Sequence, residues 1–254
     1  MEYFETLAIV CPLVFLGGLI DAVAGGGGLI TLPAYLLAGL PPHAASATNK
    51  CGNAFGTLLS TARFFRHGDI HIPTAVVGAL TALVGAWLGA KMNMLVPEQV
   101  LYSMMLVVVP AMAVFLLFKR NFGTEDRSAE LGAAKLLVLS GLIGLGIGMY
   151  DGFFGPGTGT FLMLAFSGIC KFDLLKASGN TKAANSASNV ASLATFALAG
   201  KVMWSVGIPA AICGIAGNYI GSGLALKKGA KIIRPMFFVV LTLLLLRLVT
   251  DMMG

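Results

Sequence analysis

Two lysines lie in strongly apolar parts of the chain, and each is followed three residues later by an asparagine. They are Lys50 with Asn53, in the stretch ATNKCGNAFGT, and Lys182 with Asn185, in GNTKAANSASN. A lysine at the centre of a bilayer costs about 2.5–3.5 kcal/mol on insertion scales, so an ionisable residue at membrane depth usually marks a pathway. An ammonium group beside amides and hydroxyls is suited to binding an anion.

Each lysine belongs to a row of polar residues at helical spacing. At 100° per residue, Ser46, Asn53, Thr57 and Ser60 fall with Lys50 inside an arc of about 80°. The second half repeats the arc with Ser178, Lys182, Asn185, Asn189 and Ser192. Two such rows would line a hydrophilic path if they faced each other. In the alternative, the lysines snorkel to the interface and the smaller polar residues join helices.

A second pair of features is an aspartate placed four residues before a glycine-rich break. DAVAGGGGLITLP begins at Asp21 and DGFFGPGTGTFL at Asp151, and a short apolar segment follows each break. A helix that begins there would direct its unpaired N–H groups and its positive dipole end at the break, an arrangement that binds anions. Broken segments at matching positions of two halves point to a transporter's site. A purely packing role for the glycines is the alternative.

The aspartates have two roles open to them. Asp21 and Asp151 are candidates for carrying a coupling proton, and they are equally suited to neutralising Lys50 and Lys182. The residues alone do not decide between these roles.

The remaining reactive side chains do not suggest catalysis. His43, His67 and His71 are expected at the surface, since they stand in loop regions beside proline or charge. No residue spacing indicates a metal site or a cofactor, and no Ser/His or Cys/His arrangement suits an intramembrane hydrolase. We therefore do not expect an enzyme.

The composition places these features in a membrane. The chain has 254 residues, of which 57% are hydrophobic and 11% charged, whereas a soluble domain has about 25% charged residues. Apolar segments close to the length needed to span a bilayer recur along the chain. The fold class predicted is an all-α polytopic protein in a lipid bilayer. The net charge of +6 is explained by basic residues between helices, so we expect no nucleic-acid partner.

The apolar segments fall into two groups around a charged stretch. This divides the chain into a first transmembrane repeat (1–118), a cytoplasmic linker (119–132) and a second repeat (133–254). Two segments are short and either cross the membrane or are re-entrant, which gives about 8–10 membrane segments in total. The predicted segments are 6–24, 29–40, 47–66, 72–90, 98–118, 133–153, 158–169, 178–199, 207–226 and 232–250.

The two groups are repeats, and charge indicates that they insert in opposite directions. Asp21 matches Asp151 at an offset of 130 residues, and Lys50 matches Lys182 at 132. An odd number of crossings per half inverts the second repeat. Of the 17 basic residues, 13 then lie on one side, as the positive-inside rule expects. Both termini are predicted outside the cytoplasm. The four basic residues on the other side are Lys50, Lys91, Lys201 and Arg247.

The motifs resemble a known family. GLIDAVAGGGGLITLPAYLLAGLPPHAASATNK is similar to the signature of the TauE/SafE permeases, the sulfite exporter or sulfonate uptake permease family. GMYDGFFGPGTGTFL, NTKAANSASN and KGAKIIRPM resemble its second half, closest to a widespread bacterial inner-membrane branch. The resemblance implies a multi-pass secondary transporter of a bacterial or archaeal plasma membrane. Family members carry sulfite, organosulfonates and other small anions, so the partner it implies is a small anionic substrate.

From the residues and the resemblance together, we expect an anion such as sulfite or a sulfonate to bind between the halves. An anion channel, or a carrier of another small organic anion or of a cation, is the alternative. The sequence leaves the oligomeric state open, a homodimer included. The expected substrate-binding residues are Gly25, Gly26, Gly27, Gly28, Thr48, Asn49, Lys50, Asn53, Gly155, Pro156, Gly157, Thr158, Thr181, Lys182, Asn185 and Asn189.

Overall fold

The computed structural model describes residues 2–101, 103–104, 125–228 and 231. These residues form helices and their connections, with no strand among them, which confirms the predicted all-α class. The predicted segments 98–118 and 232–250 lie largely outside the described residues. The helices are α1 (Tyr3–Ala24), α2 (Gly28–Leu37), α3 (Pro42–His67), α4 (Ile72–Leu95), α5 (Ala133–Phe153), α6 (Thr158–Gly168), α7 (Leu174–Leu198) and α8 (Trp204–Lys228), with a 3-10 turn at Ser128–Leu131.

The helices divide into three kinds. Four of them, α1, α4, α5 and α8, are long and apolar enough to cross a membrane. The helices α2 and α6 have 10 and 11 residues, which corresponds to about 15 Å, half of the hydrocarbon thickness of a bilayer. The helices α3 and α7 carry the two polar rows, and many of their polar residues are buried inside the protein.

The main contacts between helices keep the same pattern when α1–α4 are exchanged with α5–α8. The helix α1 packs along α8 as α5 packs along α4, and α3 contacts α8 as α7 contacts α4. The short helix α2 lies against α1 and α3, as α6 lies against α5 and α7, and α3 contacts α7 directly. Each half therefore completes the core of the other. The opposite insertion of the halves stays a prediction.

Glycines bring α4 and α5 close together. A Cβ added at Gly89 would lie 2.0 Å from the carbonyl oxygen of Met149, and one added at Gly152 would lie 2.0 Å from the carbonyl oxygen of Ala86. These distances are shorter than any real Cβ contact, so the two backbones touch. Close approach through small residues is a common means of helix association in lipid.

Gly152→Ala is expected to destabilise the protein by about 1–3 kcal/mol, because the new methyl group overpacks a contact between two backbones. The matched control is Gly146→Ala in the same helix, where an added Cβ would have none of the described residues within 4 Å. This control should be neutral or slightly stabilising, since alanine favours a helix more than glycine does. Thermal unfolding of both variants in one detergent tests the prediction. Equal unfolding temperatures would contradict it.

The end of the predicted linker contacts the connection between α6 and α7 and the first turn of α7. Asp126 forms an ion pair with Lys176 at 2.6 Å, and Glu130 forms one with Lys171 at 2.8 Å. Desolvation opposes ionisation of Asp126, but hydrogen bonds from Lys176 and Ser128 outweigh it and lower the pKa of this carboxyl. These partly exposed pairs attach the linker to the second half.

Candidate functional site

The two glycine breaks pack against each other at the centre of the protein. The helix α1 ends at Ala24 and is capped by Gly25, whose φ is 79°, and α2 begins at Gly28. A Cβ on Gly25 would lie 2.3 Å from the carbonyl carbon of Gly159, and one on Gly28 would lie 3.3 Å from the Cα of Pro156. The two breaks therefore form one joint site, with the starts of both short helices beside it.

Two buried ion pairs cross between the halves beside these breaks. Lys50 Nζ lies 2.7 Å from Asp151 Oδ1, and both side chains are at most 4% exposed. Lys182 Nζ lies 3.4 Å from Asp21 Oδ2 and also donates a hydrogen bond to the backbone oxygen of Asp21. The lysine of each half thus pairs with the aspartate of the other. Burial makes such pairs costly to break, because a lone charge would be left in a medium of low dielectric constant.

Amides and one hydroxyl surround the first pair. Lys50 Nζ donates to Asn189 Oδ1 at 3.3 Å, and Ser188 Oγ donates to Asp151 Oδ2 at 2.6 Å. The side chain of Asn53 donates to Asn49 Oδ1 at 3.0 Å. Ser188 was not expected at the site from the sequence, since it lies about 120° around α7 from Lys182 and so outside the polar row. It faces α5, where Asp151 lies.

A cavity of about 20 Å³ lies between the halves at this point. This volume holds about one water molecule, so a larger ligand binds here only if it displaces side chains that line the cavity. Both aspartates line it, but only one of the two lysines does. The lining residues are Asp21, Gly25, Gly28, Asn49, Lys50, Asn53, Thr57, Asp151, Gly155, Thr158, Gly159, Asn185 and Asn189.

Most of the expected binding residues and both aspartates line this cavity, but some expected residues do not. Lys182 donates a hydrogen bond to the backbone oxygen of Asp21. Thr48 accepts one from the backbone N–H of Met203 at 3.1 Å. Thr181 is buried with no hydrogen-bond partner for its hydroxyl in the described part of the chain. The expected residues that do not line the cavity are Gly26, Gly27, Thr48, Pro156, Gly157, Thr181 and Lys182.

The ends of the polar rows have other surroundings. Ser60 donates to Asn218 Oδ1 of α8 at 2.9 Å, so here the serine joins two helices. Ser46, Ser178 and Ser192 are buried, and their hydroxyls have no hydrogen-bond partner among the described residues. The central residues of the first row, and Asn185 and Asn189 of the second, therefore face the cavity. Ser60 instead joins two helices, as in the alternative interpretation of the rows.

The expectation that His43 lies at the surface is wrong. Its side chain is buried, with a residue exposure of 9%, and its Nδ1 lies 3.1 Å from Asn93 Oδ1. The amide of Asn93 in turn donates to the backbone oxygen of Phe153 at 2.7 Å. The reason is that α3 begins at Pro42, before the predicted start at residue 47, and this places His43 in a packed first turn.

Comparison with known proteins identifies relatives along almost the whole chain. The model of the family "Sulfite exporter TauE/SafE" matches residues 10–248. A probable membrane transporter protein, ORF9, of a Sinorhizobium species is 38% identical over 98% of this chain and 94% of its own length. The probable membrane transporter protein YfcA of Escherichia coli K12 is 35% identical over 100% of this chain and 96% of its own. No solved structure gives a significant match.

Proposed function

This chain belongs to the sulfite exporter TauE/SafE family of membrane transporters, and we propose that it is a secondary transporter of a small anion. Sulfite, an organosulfonate or a related sulfur-containing anion is the cargo that we infer. The observation that carries the proposal is the placement of the Lys50 ammonium at the wall of a small cavity between the halves. Because water screens little there, a buried cation that borders a cavity attracts a negative ligand strongly once its present partner, the carboxylate of Asp151 at 2.7 Å, is displaced.

Neutral hydrogen-bond donors complete the binding site. The amides of Asn49, Asn53, Asn185 and Asn189 line the cavity around Lys50. The helix α2 begins at Gly28 on the cavity wall. The N–H groups of Leu29, Ile30 and Thr31 donate to the backbone oxygens of Gly26 and Gly27, so the start of α2 contributes its positive dipole end and the N–H of Gly28. Amide donors and a helix N-terminus suit the oxygens of a sulfite or sulfonate group.

The arrangement of the halves supports alternating access. Because α3 and α7 contact each other across the cavity and carry equivalent residues, a rocking motion of one half against the other would open either end of the same site. In this proposal the protein lies in a bacterial or archaeal plasma membrane with both termini outside the cytoplasm. Asp21 or Asp151 carries a coupling proton.

We expect sulfite, thiosulfate and ethanesulfonate to raise the unfolding temperature of the purified protein. An anion at 100 times its dissociation constant stabilises the folded state by about 2.7 kcal/mol, because it binds the folded protein alone. Lys50→Gln should remove this effect. Lys201→Gln, which removes an exposed lysine at the start of the loop before α8, is the matched control and should keep it. The absence of stabilisation by any of these anions, or an equal loss in both variants, would contradict the proposed function.

A further inference from the structure

The two ion pairs occupy equivalent positions in the repeats but have different surroundings. Lys50 and Asp151 both line the cavity, whereas of the second pair only Asp21 does. The side chain of Lys182 is fully buried, at 0% exposure, and it also binds the backbone oxygen of Asp21 near the end of α1. A cation at the C-terminal end of a helix is favourable there. Lys182 therefore fastens the end of α1, and Lys50 is the cation that an anion in the cavity reaches.

Asp151 occupies the place on Lys50 that a bound anion needs. Its Oδ1 lies 2.7 Å from Lys50 Nζ, which is the distance of a charge-assisted hydrogen bond. The backbone of Gly155 closes another side of the ammonium group, since a Cβ added there would lie 3.3 Å from Nζ. A carboxylate or sulfonate group that binds Lys50 directly must displace the carboxylate of Asp151.

Charge balance then requires a proton. The four charged side chains of the site, Lys50, Lys182, Asp21 and Asp151, sum to zero. A monovalent anion added to them would leave one uncompensated negative charge in a buried site, which is costly. One proton on the displaced Asp151 restores neutrality.

Ser188 allows Asp151 to hold that proton without losing a hydrogen bond. Its hydroxyl has two acceptors within reach, Asp151 Oδ2 at 2.6 Å and the backbone oxygen of Asn185 at 3.0 Å. When Asp151 is ionised, the hydroxyl donates to it. When Asp151 is protonated, its O–H donates to Ser188 Oγ, and the hydroxyl donates to Asn185 instead. The position equivalent to Ser188 in α3 is Gly56, so the repeat provides no such hydroxyl beside Asp21.

We propose that a small monovalent oxyanion binds Lys50 by displacing the carboxylate of Asp151, and that Asp151 takes up one proton as the anion binds. Asp21 stays ionised and paired with Lys182. The inference rests on the proposed function and assigns its coupling proton to one aspartate. The titratable groups around Asp151 are Lys50 on α3, Tyr150 beside it on α5, and the pair of Asp21 on α1 with Lys182 on α7.

Proton uptake by the wild-type protein tests the inference directly. Ethanesulfonate is the probe, because it stays a monovalent anion across the usable pH range and any proton bound must go to the protein. We expect about one proton taken up per anion bound at neutral pH in weakly buffered solution, and an apparent affinity that falls about tenfold per pH unit above neutrality. Binding without proton uptake would overturn the inference and leave the proposed function standing.

Two variants then identify the group. Asp151→Asn, purified in the presence of ethanesulfonate, should bind the anion without proton uptake and at least tenfold more tightly than wild type at alkaline pH. The control is the double variant Asp21→Asn with Lys182→Met, which removes the second ion pair and keeps the site neutral, and it should keep an uptake of about one proton per anion. Loss of uptake in this double variant, or its retention in Asp151→Asn, would overturn the assignment. If ethanesulfonate, sulfite and acetate all fail to bind wild type and Asp151→Asn, the proposed function fails together with the inference.

Discussion

Replacement of Lys50 by methionine is expected to abolish anion transport and to destabilise the folded protein by about 3–5 kcal/mol, the cost of leaving one member of a buried ion pair without its partner. The uncompensated group is the carboxylate of Asp151, which is 3% exposed. The loss of transport follows separately, because Lys50 is the lysine that lines the cavity.

A second substitution separates the two effects. In the double variant Lys50→Met with Asp151→Leu, no charge of this pair remains, so most of the lost stability should return. Transport should not return, since the cation is still missing. The measurements are thermal unfolding and uptake of labelled sulfite into proteoliposomes for the wild type, the single variant and the double variant. A double variant that transports sulfite normally would show that Lys50 does not bind the cargo.

Gly25→Ala is expected to produce the second large effect, with loss of transport and a destabilisation of about 2–5 kcal/mol from backbone strain and overpacking together. The φ of Gly25 is 79°, and an added Cβ would lie 2.3 Å from the carbonyl carbon of Gly159. The methyl group would therefore push the two glycine breaks apart and disrupt the wall of the cavity that Gly25 and Gly159 form.

Gly68→Ala provides a closely matched control. Gly68 also follows a helix in the left-handed conformation, with φ 88° and ψ 8° against φ 79° and ψ 6° at Gly25. In the part of the chain that the structure describes, an added Cβ at Gly68 meets nothing within 4 Å, so its variant carries the backbone strain alone, about 1–2 kcal/mol. Unfolding temperature and sulfite uptake should both fall further in Gly25→Ala. Similar losses in the two variants would mean that contact between the breaks does not matter.

The sequence predicted the bounds of the helices well where the length of an apolar segment and the glycines beside it define them. The predicted segment 133–153 coincides with α5, and 158–169 differs from α6 by one residue at its end. The starts of α3 and α7 were predicted four to five residues late, at 47 and 178 instead of Pro42 and Leu174. Their first turns carry proline, histidine or charged residues that hydropathy does not count as membrane segment. This error misplaced His43.

The charged residues of the candidate site were predictable from the sequence, because the same residue types recur at equivalent positions of the two halves. Lys50, Lys182, Asp21 and Asp151 each have an equivalent in the other half. Their pairing was not predictable, since either aspartate of the repeat is a chemically adequate partner for either lysine. The crossed arrangement depends on how the halves pack. The different roles of Lys50 and Lys182 also follow from packing. The side chain of Lys50 borders the cavity, whereas that of Lys182 binds the end of α1.

The central claim is that an anion binds Lys50 in the cavity between the halves. The most direct test is a structure determined with 2-bromoethanesulfonate, in which the anomalous signal of bromine locates the ligand. We predict a sulfonate oxygen at about 2.7–3.0 Å from Lys50 Nζ, with the carboxylate of Asp151 moved away. A ligand found only elsewhere, with Lys50 and Asp151 still paired as at present, would contradict the claim.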